Sequence, residues 1–188
     1  MVYSRPLWGE VCVTIDLSKI DREPVAFDER FDLAGDRLDA DRVAGPVSVR
    51  VRGRVRPVAG RYLVEGHASA SGALTCGRCL EPVDWEMETA FDVEMVLAEA
   101  APLADELALD EDELDVVFLT EPVLDLEELA VEQVLLELPI RVLCDEECAG
   151  LCPRCGANRN VDSSCRCEPE PDPRWAALGE LTSPGSDN

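Results

Sequence analysis

Eight of the chain's nine cysteines fall in four close pairs: Cys76 with Cys79, Cys144 with Cys148, Cys152 with Cys155, and Cys165 with Cys167. Cys12 stands apart. Thiolates two to four positions apart can reach one soft divalent cation from a single turn, so four pairs supply the ligands of two four-sulfur sites. Tetrahedral pairing at this spacing points to zinc, about two ions per chain, rather than to an iron–sulfur cluster. Four cysteine ligands leave no position for water, which makes such sites structural rather than catalytic.

The pairs must then be matched. Cys152-Pro-Arg-Cys155-Gly156 reads as a knuckle, a turn whose backbone N–H groups point at sulfur, with Gly156 where the chain needs a positive φ. Cys165 and Cys167 follow after nine residues, and these four make a small zinc-ribbon-like site. Cys76-Gly-Arg-Cys79 is a second knuckle, whose complement is then Cys144 and Cys148. A second matching stays open, in which Cys144, Cys148, Cys152 and Cys155 share one ion by proximity and leave Cys76, Cys79, Cys165 and Cys167 for the other. A dithiol redox couple is the competing chemistry. Such a couple usually opens a helix within a βαβ unit, whereas Cys76 and Cys79 lie between two predicted strands.

The elements that position these residues follow from hydrophobic periodicity. Residues 11–17 alternate weakly, as a first strand would. Residues 19–42 read as charged and irregular, with a turn or short helix at 36–39. From residue 47 the period is two, with Val47, Val49, Val51 and Val55 on one side, until Pro57 and Gly60 break it. Residues 61–76 form a second strand of small residues. A third covers 83–97, with Val83, Trp85 and Met87 inward, a slip near Thr89 and Ala90, and Phe91, Val93 and Met95 resuming the apolar side. A short apolar strand, 116–119, precedes a helix over 126–138 capped by Asp125 and stopped by Pro139. Its apolar stripe is Leu126, Leu129, Ala130, Val134, Leu135 and Leu138. The fold class expected is α+β: an antiparallel β meander or partly closed barrel covered by a helix, with a zinc-ribbon-like C-terminal extension. The core domain spans 1–143, with 1–44 loosely defined and 99–115 an acidic mobile excursion. The cysteine-rich segment covers 144–168, and a proline-rich linker and largely disordered tail cover 169–188.

Net charge is −23 and unevenly placed. Residues 99–148 hold 17 acids against a single base, Arg141. Nucleic acid is therefore repelled at long range, and any RNA contact must be local. Arg50, Arg52, Arg54 and Arg56 alternate along one strand and project from one face, in a stretch free of acids from Val43 to Val64. They are RNA-binding candidates. The alternative is a solvated face on which they pair across strands with Glu65, Asp84, Glu86 or Glu88. The single histidine, His67, reads as a half-buried strand residue. Trp175 and Leu178 are candidates for docking on the domain or on a partner. No apolar run reaches the length of a membrane span, and the opening residues lack a secretory signal, so reduced thiols and the cytoplasm are expected. No nucleophile elbow, phosphate loop, metal-hydrolase histidine pair or magnesium-holding carboxylate group is visible. No catalytic residue is assigned.

Several segments together resemble the bacterial YceD family, the large ribosomal RNA subunit accumulation proteins. They are Leu74-Thr-Cys-Gly-Arg-Cys-Leu, Glu121-Pro-Val-Leu-Asp-Leu, Leu135-Leu-Glu-Leu-Pro-Ile, Cys148-Ala-Gly-Leu-Cys-Pro-Arg-Cys-Gly-Ala-Asn and Asp172-Pro-Arg-Trp-Ala-Ala-Leu. The resemblance covers most of residues 45–181, with the first 40 matching loosely. In this family the Cys76/Cys79 knuckle and the segment holding Cys144/Cys148 recur together, while the cysteine-rich extension is optional, which favours the first matching. The resemblance implies a non-enzymatic role in accumulation or processing of large-subunit (23S) ribosomal RNA during ribosome assembly. The expected partner is the rRNA precursor, a basic ribosomal protein, or both, and the charge favours the protein. The alternatives are a thiol redox protein or a ribonuclease acting on precursor rRNA, and a transcription-linked zinc ribbon resting on residues 144–167 alone.

Overall fold

The computed structural model describes residues 13–98 and 116–167, together with Tyr3–Ser4 and Arg174. The expectations for Cys12, for the acidic stretch 99–115, for the linker and tail, and for Trp175 and Leu178 fall outside these residues. In chain order the elements are β1 (Tyr3–Ser4), β2 (Thr14–Asp16), β3 (Val25–Leu33), α1 (Gly35–Leu38), β4 (Val47–Val58), β5 (Arg61–Thr75), β6 (Pro82–Leu97), β7 (Val116–Leu119), β8 (Val123–Asp125) and α2 (Leu126–Glu137). They form a five-stranded sheet ordered β3-β4-β5-β6-β7 and a three-stranded sheet ordered β1-β2-β8. The architecture is α+β and mostly β. The barrel is not closed, because β3 and β7 end the larger sheet without pairing to each other.

Alternation builds the larger sheet. Val47, Val49, Val51 and Val55 of β4 are buried, as are Val64, Ala68, Ala70 and Leu74 of β5, and the intervening side chains face away. Strands β3 to β6 are antiparallel neighbours in one unbroken register, and β5 with β6 runs from Thr75↔Pro82 to Tyr62↔Met95. No slip occurs at Thr89. Trp85, Met87, Thr89, Phe91, Val93 and Met95 all occupy the inward position, and the threonine only interrupts the apolar count. Pro57 does not end β4, which continues to Val58 before Gly60 turns at φ +84°.

Residues 25–33 form β3 and are not irregular. Phe27, Phe31 and Leu33 alternate inward while Asp28, Arg30 and Asp32 face solvent, a period of two hidden by the charge of its outer half. At the other edge β7 pairs with β6 in parallel, so the sheet is not wholly a meander. A parallel neighbour needs a crossover of a dozen or more residues, and the chain between Leu97 and Val116 is long enough.

Helix α2 lies across the inner face of β3 to β6. Asp125 caps it, accepting hydrogen bonds from the N–H groups of Glu127 (2.9 Å) and Glu128 (3.1 Å). Leu126, Leu129, Ala130 and Val134 are buried, joined by Val131 and Gln133. Leu135 is 40% exposed and lies off the buried stripe, whereas its neighbour Val134 and the C-capping Leu138 are buried. Among the described residues no helix is long and apolar enough to cross a membrane.

Candidate metal centres

The β5–β6 connection carries Cys76 and Cys79, and the chain that leaves α2 returns Cys144 and Cys148 to it. Gly77 N–H donates to the Val142 carbonyl at 2.9 Å, and the Arg78 guanidinium donates to the carbonyls of Cys148 (2.8 Å) and Glu146 (3.2 Å). The four sulfurs lie within 4.8 Å of one another, with Cys76 and Cys148 at 3.9 Å and Cys79 and Cys144 at 3.5 Å. Cys152, Cys155, Cys165 and Cys167 make a second group within the same limit, with Cys155 and Cys165 at 3.7 Å. None of the eight is in a disulfide.

These separations suit one ion per group. Four sulfurs at about 2.3 Å from a central zinc sit about 3.8 Å apart along the edges of the tetrahedron. A multi-iron cluster has to fit between its thiolates and spreads them wider.

The two knuckles are built alike. Cys76 N–H donates to the Glu81 carbonyl (2.9 Å) and Leu80 N–H to the Cys76 carbonyl (3.0 Å). In the second, Cys152 N–H donates to the Ala157 carbonyl (2.8 Å) and Gly156 N–H to the Cys152 carbonyl (2.8 Å). The residue after the second cysteine is left-handed in both, at φ +62° for Leu80 and +74° for Gly156. Glycine adopts that conformation freely; Leu80 holds it against the usual steric cost, with its side chain 61% exposed. The geometry repeats with the shared Cys-x-Arg-Cys pattern, although the left-handed residue after it differs.

The thiols are not equivalent. Burial pushes Cys76 up, but the backbone N–H groups of Cys79, Arg78 and Cys144 point at its sulfur and bring it down to about 6. Those of Cys155 and Arg154 bring Cys152 to about 6 as well. Cys144, crowded by the sulfurs of Cys79 and Cys148, is pushed up to about 12, and Cys167, beside Cys155 and Cys152, likewise. The Glu81 N–H lowers Cys79 and the Cys167 N–H lowers Cys165, yet burial and neighbouring thiols leave both raised. Four negative sulfurs repel one another without a cation between them.

A sign follows. At pH 7.5, thiols raised above their ordinary 9.0 keep their protons, and a metal displaces them. Zinc uptake is expected to release at least two protons per ion, those of Cys79 and Cys144 in one group and of Cys165 and Cys167 in the other, and affinity is expected to fall as pH falls. Calorimetry in buffers of different ionisation enthalpy measures the release, and a value near zero contradicts this arrangement.

The arginine strand lies on the opposite face of the sheet, away from α2. Arg50 grips Asp28 of β3 through two bonds (2.7 and 2.6 Å). Arg54 and Arg56 share Glu65, at 3.0 and 3.6 Å, and Arg52 meets Glu88 at 3.7 Å. Neither Asp84 nor Glu86 has an ion-pair partner among the described residues. The Arg50 pair holds the Asp28 carboxyl below its ordinary value. His67 is exposed rather than half-buried, because it stands on this same outer face opposite Arg52. Beside Arg50 the small side chains Ser48, Ser69 and Ser71 leave a shallow trough of 580 Å³, walled by Arg30 on one side and by Glu86 and Glu88 on the other.

Two contributors escape a reading of the sequence. Arg78 sits inside the first knuckle, and only the fold reveals that it clamps the returning chain. Asn160 donates from Nδ2 to the Cys148 sulfur at 3.2 Å, reaching the first sulfur group from within the second. The Asn158-Arg-Asn160 run signals a side-chain-stabilised turn, but not its target.

The family described as large ribosomal RNA subunit accumulation protein YceD matches residues 64–182. An uncharacterised protein of Mycobacterium tuberculosis is 32% identical over 179 residues, 93% of this chain and 84% of the relative. Large ribosomal RNA subunit accumulation protein YCED homolog 1, chloroplastic, of Zea mays is 27% identical over 176 residues, 82% of this chain and 59% of the relative. The Bacillus subtilis protein YlbN, uncharacterised, is 26% identical over 168 residues, covering 88% and 92%. No solved structure matches the chain significantly. The family segment takes in most of β5, strands β6 to β8, helix α2 and all eight paired cysteines, and the chain belongs to the YceD family.

Proposed function

We propose that this protein is a non-enzymatic ribosome-assembly factor, acting in the accumulation or processing of large-subunit ribosomal RNA and held rigid by two structural zinc ions. The observation that carries the role is the family match over residues 64–182, and the printed name of the maize relative supports it. The zinc reading rests on two groups of four sulfurs at tetrahedral spacing. Cys76, Cys79, Cys144 and Cys148 would hold one ion, and Cys152, Cys155, Cys165 and Cys167 the other. All four positions are then taken by protein, so each ion cross-links the chain and activates no water.

The binding partner follows from charge. With −23 overall, the protein attracts a basic ribosomal protein at long range and repels free RNA. The arginine strand remains the candidate for a local RNA contact, and a phosphate reaching Arg50 must compete with Asp28. Sedimentation of cell lysate at low and high salt tests the role. The protein is expected to travel with large-subunit precursors at low salt and to leave them as salt rises. Absence from those fractions at both salt concentrations counts against the assembly role. Retention unchanged by Arg52→Glu with Arg54→Glu removes the arginine strand from it.

A further inference from the structure

We propose that the two sulfur groups hold their metals as one cooperative unit, with Asn160 as the coupling residue and the outer group as the exchangeable member; this rests on the zinc reading above. The groups differ in access. Cys76, Cys79 and Cys148 are buried, and only Cys144 is exposed. In the outer group Cys152 alone is buried, while Cys155 is exposed and Cys165 and Cys167 are partly so. A competing chelator therefore reaches the outer ion's ligands first.

The outer ion closes the nine-residue loop between Cys155 and Cys165, and Asn160 lies in that loop. Its side chain bridges back to the first group in both directions. Nδ2 donates to the Cys148 sulfur (3.2 Å), and Oδ1 accepts from the Ala149 N–H (2.7 Å). The Asn158 carboxamide oxygen fixes Asn160, accepting from its backbone N–H (3.0 Å) and from Nδ2 (2.9 Å). The loop is pinned by Cys152 N–H to the Ala157 carbonyl (2.8 Å) and Arg159 N–H to the Gly150 carbonyl (2.9 Å). An N–H donor on a ligating thiolate favours its charged, metal-binding form, and loss of such outer partners typically costs ten- to a hundredfold in metal affinity. Loss of the outer ion opens the loop, withdraws Asn160 and weakens the inner site. By linkage the inner ion favours the outer one equally.

The test uses the full chain loaded with zinc and challenged with excess chromophoric chelator. Two phases of one zinc each are expected, the outer fast and the inner slow. Asn160→Asp keeps the acceptor for Ala149 and removes the donor to Cys148. It is expected to retain two zinc ions and, by linkage, to speed the fast phase about tenfold or more, while the slow phase, in which Asn160 has already withdrawn, keeps its rate. Cys155→Ser with Cys165→Ser is expected to hold one ion and release it at the wild-type slow rate, with no further change when Asn160→Asp is added. Asn160→Ala, with folding followed by circular dichroism, provides a second donor deletion. A fast phase unchanged in both Asn160 variants, or a further change in release when Asn160→Asp is added to the double cysteine variant, overturns the coupling while leaving the zinc reading intact. A chain that takes up no zinc overturns both.

Discussion

Replacing Cys76 and Cys79 together by serine is expected to remove one of the two zinc ions and to cost the most stability of any change in the cysteine sites. Both sulfurs are buried, at 0% and 3% exposure, in a small cluster with Cys148 that Val83, Leu143 and Leu151 pack against. Without the ion, nothing covalent ties the β5–β6 connection to the chain leaving α2. A metal present at a thousand times its dissociation constant stabilises the folded state by about 4 kcal/mol. In a domain of this size that is a fall in melting temperature of about 8–16 °C. Thermal unfolding followed by circular dichroism, with zinc measured on the same sample, checks it. Cys155→Ser is expected to cost less directly, since Cys155 is exposed and its ion closes only the terminal loop. A fall no larger for the Cys76/Cys79 variant than for Cys155→Ser contradicts a structural role for the inner site.

The second large effect lies away from sulfur. Gly53 of β4 and Gly66 of β5 face each other, with Phe27 opposite the first and Phe91 opposite the second. A Cβ added at Gly53 falls 2.2 Å from the Glu65 carbonyl oxygen, 2.8 Å from the Gly66 Cα and 2.9 Å from the Phe27 ring. Two of those neighbours are backbone, so the strands themselves must part. Gly53→Ala is expected to destabilise by about 3 kcal/mol or more, at the upper end for overpacking. Gly77→Ala is the control. Its Cβ meets only the Val142 oxygen at 3.6 Å, and no effect beyond about 0.5 kcal/mol is expected. Chemical denaturation of both variants decides it, and equal midpoints contradict the close approach.

These two cases show what was legible in the residues and what was not. Alternating valines made β4 readable, and Asp125 with the leucines after it made α2 readable, because both signals are local. Strand β3 went unread because Asp28, Arg30 and Asp32 fill its outer positions and dilute the apolar count, though Phe27, Phe31 and Leu33 keep the period. Thr89 in an inward position imitated a slip. The use of Gly53 and Gly66 as a seat for two rings depends on register, which no local pattern states. Parallel pairing of β7 is likewise non-local.

In the cysteine sites the pairs were legible from spacing alone, but spacing allowed two ways of joining them. The joining depends on α2 bringing the chain back beside β5 and β6, and on Arg78 and Gly77 catching it there. The arginine strand was legible as a face, and two of its expected partners, Glu65 and Glu88, are the ones that pair with it, but the partner of Arg50 was not legible. Asp28 lies on the unread β3, so the tightest pair, Arg50 with Asp28 at 2.6 Å, had no candidate in the sequence.

Zinc content bears most directly on whether eight thiols, far apart along the chain, act as two cross-links. The full chain, expressed and purified without added metal, is weighed by native mass spectrometry and assayed by elemental analysis. Two zinc ions per chain are expected, lost only with a strong chelator and with a parallel loss of thermal stability. A metal-free chain of the same stability, indifferent to chelator, contradicts it.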